Sequence, residues 1–302
     1  MAETRESDES LTSIVVALAA NLLIALAKGV AAVLTASPAL LAETLHTLAD
    51  AGNEILLGVA VRRGRRPPDA RHPLGYGAEL YYWALLAAIG MFVVGGAISV
   101  WHGIQSLISP EELSSFWVGA VVLVIALTLD SVSRVVASRR LRRQAARRGL
   151  TTREMIAESA DPTLITVYAE DTIDVIGAAL ALVALILHQV TGSGVPDAIA
   201  TIVIGLLLGL VAWRLADRNR SLLTHQAVPD RYQERLRARL DTTPEVLGVG
   251  DIIAVYLGPG EVLVAADVRL AECDVAATLR RVRDDVLADT PQITRLYLTP
   301  LA

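Results

Sequence analysis

Apolar positions fall in long uninterrupted runs, not in the short alternating patches of a water-soluble fold. Six runs reach the ~20 predominantly apolar residues that a bilayer-spanning helix requires, at about 12–34, 39–61, 80–104, 116–137, 164–187 and 195–215. After Arg220 the pattern shortens to that of a small water-exposed unit. A helical repeat near 230–240 points Leu236 and Leu240 inward, and strands at 252–257 and 262–268 flank the turn cluster Gly258, Pro259 and Gly260. A second amphipathic helix, 275–287, aligns Val275, Leu279, Val282 and Val286 before a last strand at 293–298. The pattern predicts an α-helical membrane protein with six transmembrane helices and a C-terminal α/β domain of order α-β-β-α-β. Its expected divisions are a polar N-terminus (1–11), a six-helix transmembrane domain (12–220) and a C-terminal domain (221–302) of about 80 residues, small enough to gain from oligomerisation.

Composition agrees with the runs: 53% of residues are hydrophobic, and the mean hydropathy is +0.49. The formal net charge of -5 says less than the distribution of charge. Arg62, Arg63, Arg65, Arg66 and Arg71 lie between spans 2 and 3; a second arginine-rich stretch from Arg139 to Arg153 lies between spans 4 and 5; Arg214, Arg218 and Arg220 follow span 6. The three alternate connections, TASPAL, ISPEELSS and TGSGVP, carry no Lys or Arg. Basic loops are retained in the cytoplasm, so both termini are expected on the cytoplasmic side of an inner (plasma) membrane. Tyr81, Tyr82 and Trp83 at one end of span 3 and Trp101 at the other fit aromatic belts. The acidic start MAETRESDES lacks the basic region of a cleaved signal, and the single cysteine, Cys273, excludes an intramolecular disulfide or a thiolate metal cluster. Any metal site must use His, Asp, Glu or Asn. The expected partners are a divalent metal ion and the lipid bilayer, with no nucleic acid.

Chemistry enters with the ionisable residues inside the runs, which are costly in hydrocarbon and by default functional. His46 and Asp50 stand one helical turn apart in LAETLHTLADAGNEILLG, so their side chains project from one face and can grip one cation. Glu43, Asn53 and Glu54 extend this polar stripe. Span 5, TLITVYAEDTIDVIGAALALVALIL, carries Glu170, Asp171 and Asp174. Three neighbouring anions need a cation, protons or a buried base, and Lys28 and Arg134 are the available bases. Glu170 and Asp174 repeat the i, i+4 geometry of His46 and Asp50, so the two helices together would build a four-ligand N/O cage suited to Zn2+, with Asp171 as a substitute ligand. One imidazole among carboxylates is a hard donor set, which admits Mn2+, Fe2+ or Co2+ as competitors. Asp130 and Arg134 read as an intrahelical ion pair. Asn21 and Lys28 read as structural partners of their neighbours, Asp69 and His72 as a solvated loop, and Gly205 with Gly209 as a close helix contact.

Carried by ALLAETLHTLADAGNE, RHPLGYGAELYYWALLAAIGMFVVGG and SADPTLITVYAEDTIDVIG, the chain resembles the cation diffusion facilitators, a family of divalent-cation/proton antiporters. The resemblance implies a transport metal held between spans 2 and 5 and a homodimer formed through a cytosolic ferredoxin-like domain. His46 and Asp50 take the span 2 ligand positions, Glu170 stands where many members have histidine, and Asp174 stands where they have aspartate. The juxtaposed Glu170 and Asp171 resemble a distinct subgroup of the family, which leaves Asp171 as the alternative equivalent of that aspartate. No histidine follows His225, so a cytosolic dinuclear zinc site is not expected. The function implied is divalent metal/proton antiport, with Zn2+ exported from the cytoplasm. No enzymatic role is expected: HExxH is missing, which disfavours an intramembrane metal-dependent hydrolase, and acids at membrane depth disfavour a non-transporting metal sensor.

Overall fold

The computed structural model describes residues 2–109, 115–147, 149–160, 162–271 and 274–301. Most of the ISPEELSS connection, Arg148 of the second basic stretch and Cys273 therefore lie outside the described residues. Helix α1 (Ala2–Thr35) runs back through the polar N-terminal residues, and Ala36, at φ 54°, breaks it. Helix α2 (Pro38–Gly64) starts at once, because Ser37 caps it by accepting from the Leu40 N–H and Pro38 presets the first turn. Three stretches, α3 (Glu79–Gly90), a π-helical segment (Met91–Ala97) and α4 (Ile98–Ile108), form one continuous rod. Then follow α5 (Phe116–Arg147), a short α6 (Thr152–Glu158), α7 (Pro162–Thr191) and α8 (Val195–Leu223).

Among the described residues, four helices are long and apolar enough to cross a membrane: Glu79–Ile108, Phe116–Arg147, Ile165–Thr191 and Val195–Leu223. Helix α2 has the length, with 27 residues, but Glu43, Asp50 and Glu54 dilute its hydropathy. The apolar stretch described in α1 is the shorter Asn21–Thr35. These helices share one core, in which Ala31, Leu40, Leu123, Ala181, Leu185, Ile204 and Leu208 are buried together. Small residues set the distances. A Cβ on Gly205 would sit 2.9 Å from both the Gly96 carbonyl oxygen and the Val100 nitrogen. The GxxxG pair of span 6 is thus used within the chain, against the π-helical segment of span 3.

The C-terminal domain has the order read from the sequence, with longer strands. Helix α9 (Asp230–Asp241) precedes β1 (Val246–Gly258) and β2 (Glu261–Leu270), and α10 (Val275–Asp289) precedes β3 (Ile293–Leu301). Strand β2 is central, antiparallel to β1 (Ala254 opposite Val264) and parallel to β3 (Val262 opposite Ile293). Val262, Val264, Ala266 and Val268 alternate inward beneath Leu236, Leu240, Val282 and Val286. The domain touches the helices directly: Tyr81, Ala160 and Leu222 pack with Tyr256. Gly77 and Gly258 approach so closely that a Cβ on Gly77 would lie 2.9 Å from the Gly258 Cα.

Four local readings change. Tyr81 is fully buried in that contact and does not sit in a belt, whereas Tyr82 and Trp101 are exposed as expected. Val275 is exposed at the first turn of α10, where Thr278 faces inward instead. Helix α6 arises within the basic connection between spans 4 and 5, where Thr151 and Glu154 form a capping box and Met155 buries against Leu141 and Ala145. Arg134 does not pair with Asp130; its guanidinium bonds the hydroxyls of Ser138 and Tyr168 and lies 4.3 Å over the Tyr168 ring.

Candidate metal centre

Helices α2 and α7 run antiparallel with a fixed register. Glu43 lies against Gly177, His46 against Asp174 and Asn53 against Glu170. His46 stands between two carboxylates: its Nδ1 is 3.6 Å from Asp50 Oδ1 and its Nε2 is 3.0 Å from Asp174 Oδ1. One ligand atom from each of His46, Asp50 and Asp174 falls within 4.8 Å of the others. His46 is fully buried and Asp50 nearly so. Neither ring nitrogen closes a well-aligned hydrogen bond, nor does Asp50 Oδ1. Buried polar atoms are normally satisfied, so a cluster of potential ligand atoms that includes unsatisfied ones is what a cation site requires.

The remaining span 5 acids lie apart from this group. Glu170, one turn along α7 from Asp174, hydrogen-bonds the Asn53 amide. Asp171 turns to α5 and accepts from the Ser133 hydroxyl at 2.8 Å. The bases are committed elsewhere too. Lys28 Nζ lies 3.0 Å from Glu43 Oε2 and 3.0 Å from Thr47 Oγ1, with both charged side chains buried. Asn21 donates to Glu54 at 3.1 Å. Lys28 therefore answers Glu43 of the α2 stripe and leaves the His46 cluster without a directly bonded base. Asp69 organises its own loop: it accepts from Tyr76 at 2.7 Å and from the Arg71 and His72 N–H groups at 2.8 Å, and these bonds hold its carboxyl below the usual range.

Sequence reasoning missed two features. Ser133 carries no signal that separates it from other helical serines, although it holds Asp171. His188 and Asp197, at the ends of α7 and α8 away from the basic loops, are both buried with Nδ1 3.6 Å from Oδ2. The TGSGVP turn between them hid that proximity.

Comparison with known proteins gives the frame for this site. The profile of the cation efflux transmembrane domain matches residues 14–224. A metal tolerance protein of Arabidopsis thaliana is 33% identical over 234 residues, covering 78% of this chain and 51% of that protein. The mitochondrial proton-coupled zinc antiporter of Mus musculus is 30% identical over 255 residues, 84% of this chain and 45% of that protein. The cation-efflux pump FieF of Escherichia fergusonii is 29% identical over 230 residues, 74% of this chain and 69% of that protein. The chain spans about half the length of the first two relatives.

Proposed function

Since the chain belongs to the cation efflux family, we propose that it carries a divalent metal cation across a membrane in exchange for protons, with Zn2+ the first candidate. The observation that carries this reading is the convergence of His46, Asp50 and Asp174 from two antiparallel helices, with unsatisfied ligand atoms at the centre of the apolar bundle. Three protein ligands leave one position of a tetrahedral ion open to water or to Glu170, one turn away. Such an open site suits a cargo that must leave as well as enter.

Coupling follows from the ligands. Metal needs neutral imidazole and ionised carboxylates, so protons and metal compete for the same atoms. A histidine gives this competition a useful pH range. The carboxylate-rich donor set keeps Mn2+, Fe2+ and Co2+ as competing cargo. One relative is named a proton-coupled zinc antiporter, which favours zinc here.

In this reading α1 and α2 complete six spans, both termini face the cytoplasm of an inner membrane, and metal leaves the cytoplasm. The unit 221–302 serves as a dimerisation domain. Asp171, held by Ser133, stays outside the coordination sphere, while Glu170, one helical turn from Asp174, is the candidate fourth ligand. Protein reconstituted in liposomes under a proton gradient tests the cargo. Zn2+ flux coupled to proton movement is expected, and loss of flux in His46→Ala and Asp174→Asn. Unchanged flux in both variants would remove this site from transport.

A further inference from the structure

Where the C-terminal domain meets the cytoplasmic end of the helices, a cavity of about 520 Å³ opens between α5, α6 and α9. Among the described residues, four arginines line it, Arg147 from α5 and Arg231, Arg235 and Arg239 from α9, against one carboxylate, Asp289. The α9 residues follow one another at i, i+4 and i+8, so one face of the helix carries all three. Arg239 bonds Asp289 at 2.6 Å, which leaves a positive excess on the Arg147 and Arg235 side. The Tyr232 side chain is among the lining residues. A ligand-sized hollow with excess guanidinium charge matches a small polyanion.

From this geometry we infer that the cavity binds a soluble phosphate-bearing anion that bridges α5 and α9. The phosphate of an anionic lipid offers the same chemistry, but the distance disfavours it. The last large apolar side chain exposed on α5 is Val136. Arg147 lies eleven residues beyond it, about 16 Å along a helix axis. The headgroup layer is only about 5–8 Å deep on each side of the hydrocarbon, so the cavity lies past it. An anion there would tie the C-terminal domain to the helix that holds Asp171 through Ser133, a contact distinct from the metal centre.

Titration of the full-length protein in detergent micelles with tripolyphosphate, followed calorimetrically, tests the inference. Saturable binding is expected, weakened by added salt. Arg235→Gln and Arg147→Gln should each weaken it about tenfold, as loss of a charge-assisted bond does. Retained Zn2+ binding in each variant reports that the protein is folded. The inference is overturned if tripolyphosphate does not saturate, or if the arginine variants bind it like the unaltered protein. It is equally overturned if only vesicles containing phosphatidylglycerol, and not tripolyphosphate, compete for these residues.

Discussion

Replacing Lys28 by methionine isolates the buried ion pair beside the candidate metal centre. Lys28 and Glu43 stand 3.0 Å apart with side chains 1% and 0% exposed, so water cannot take over the lost partner. Methionine fills the lysine stem but strands the Glu43 carboxylate, which loses the Lys28 bond and already has one oxygen without a partner. Breaking a buried pair from one side costs about 3–5 kcal/mol, and at about 2–4 °C per kcal/mol this corresponds to a fall of about 6–20 °C in Tm. The double variant Lys28→Met with Glu43→Gln removes both charges and should regain at least half of the loss, because the penalty comes from the stranded carboxylate. Thermal unfolding in detergent, followed by circular dichroism, measures both. If the double variant melts no higher than Lys28→Met alone, the pair is not the structural tie described here.

Asp171→Asn should leave Zn2+ binding by the purified protein intact, because that side chain bonds Ser133, whereas Asp174→Asn should abolish it; isothermal titration calorimetry reads both. Gly205→Ala should push α8 away from the π-helical segment and cost about 1–3 kcal/mol, seen as a lower Tm. The carboxyl of Asp69 is held low first by the Tyr76 hydroxyl and then by backbone N–H groups. Its folded pKa is depressed, so its contribution to loop order is present above the unfolded pKa and is lost as pH falls through the folded one. Carbon-13 NMR of Tyr76→Phe should show the Asp69 titration moved upward, and an unmoved titration would contradict that bond.

Much of this was legible in the sequence because hydrocarbon leaves few choices. A 20-residue apolar run becomes a helix, and the i, i+4 pair His46 and Asp50 has to share a face. What was illegible concerns partners. Asp174 and Glu170 have the same spacing logic, yet the α2–α7 register brings Asp174 to His46 and Glu170 to Asn53. Nothing local encodes that register; it comes from close contacts such as Gly177 against Glu43. Arg134 shows the same limit. Asp130 is one turn away, but an aromatic face and two hydroxyls from neighbouring positions satisfy the guanidinium better. Strand β1 begins at Val246, six residues before its expected start, whereas β2 was legible because alternation in Val262, Val264, Ala266 and Val268 is a backbone property. Helix α6 was not, because its seven residues are too few for periodicity and only its capping box marks it.

The most direct test of the central claim is the stoichiometry of Zn2+ bound to purified protein, taken together with metal-driven proton flux in the same liposome preparation. Unaltered protein should bind Zn2+ at the membrane site and release protons as it does so. His46→Ala, Asp50→Ala and Asp174→Asn should each lose both signals. Proton-coupled Zn2+ flux persisting in any of these three variants would contradict the account.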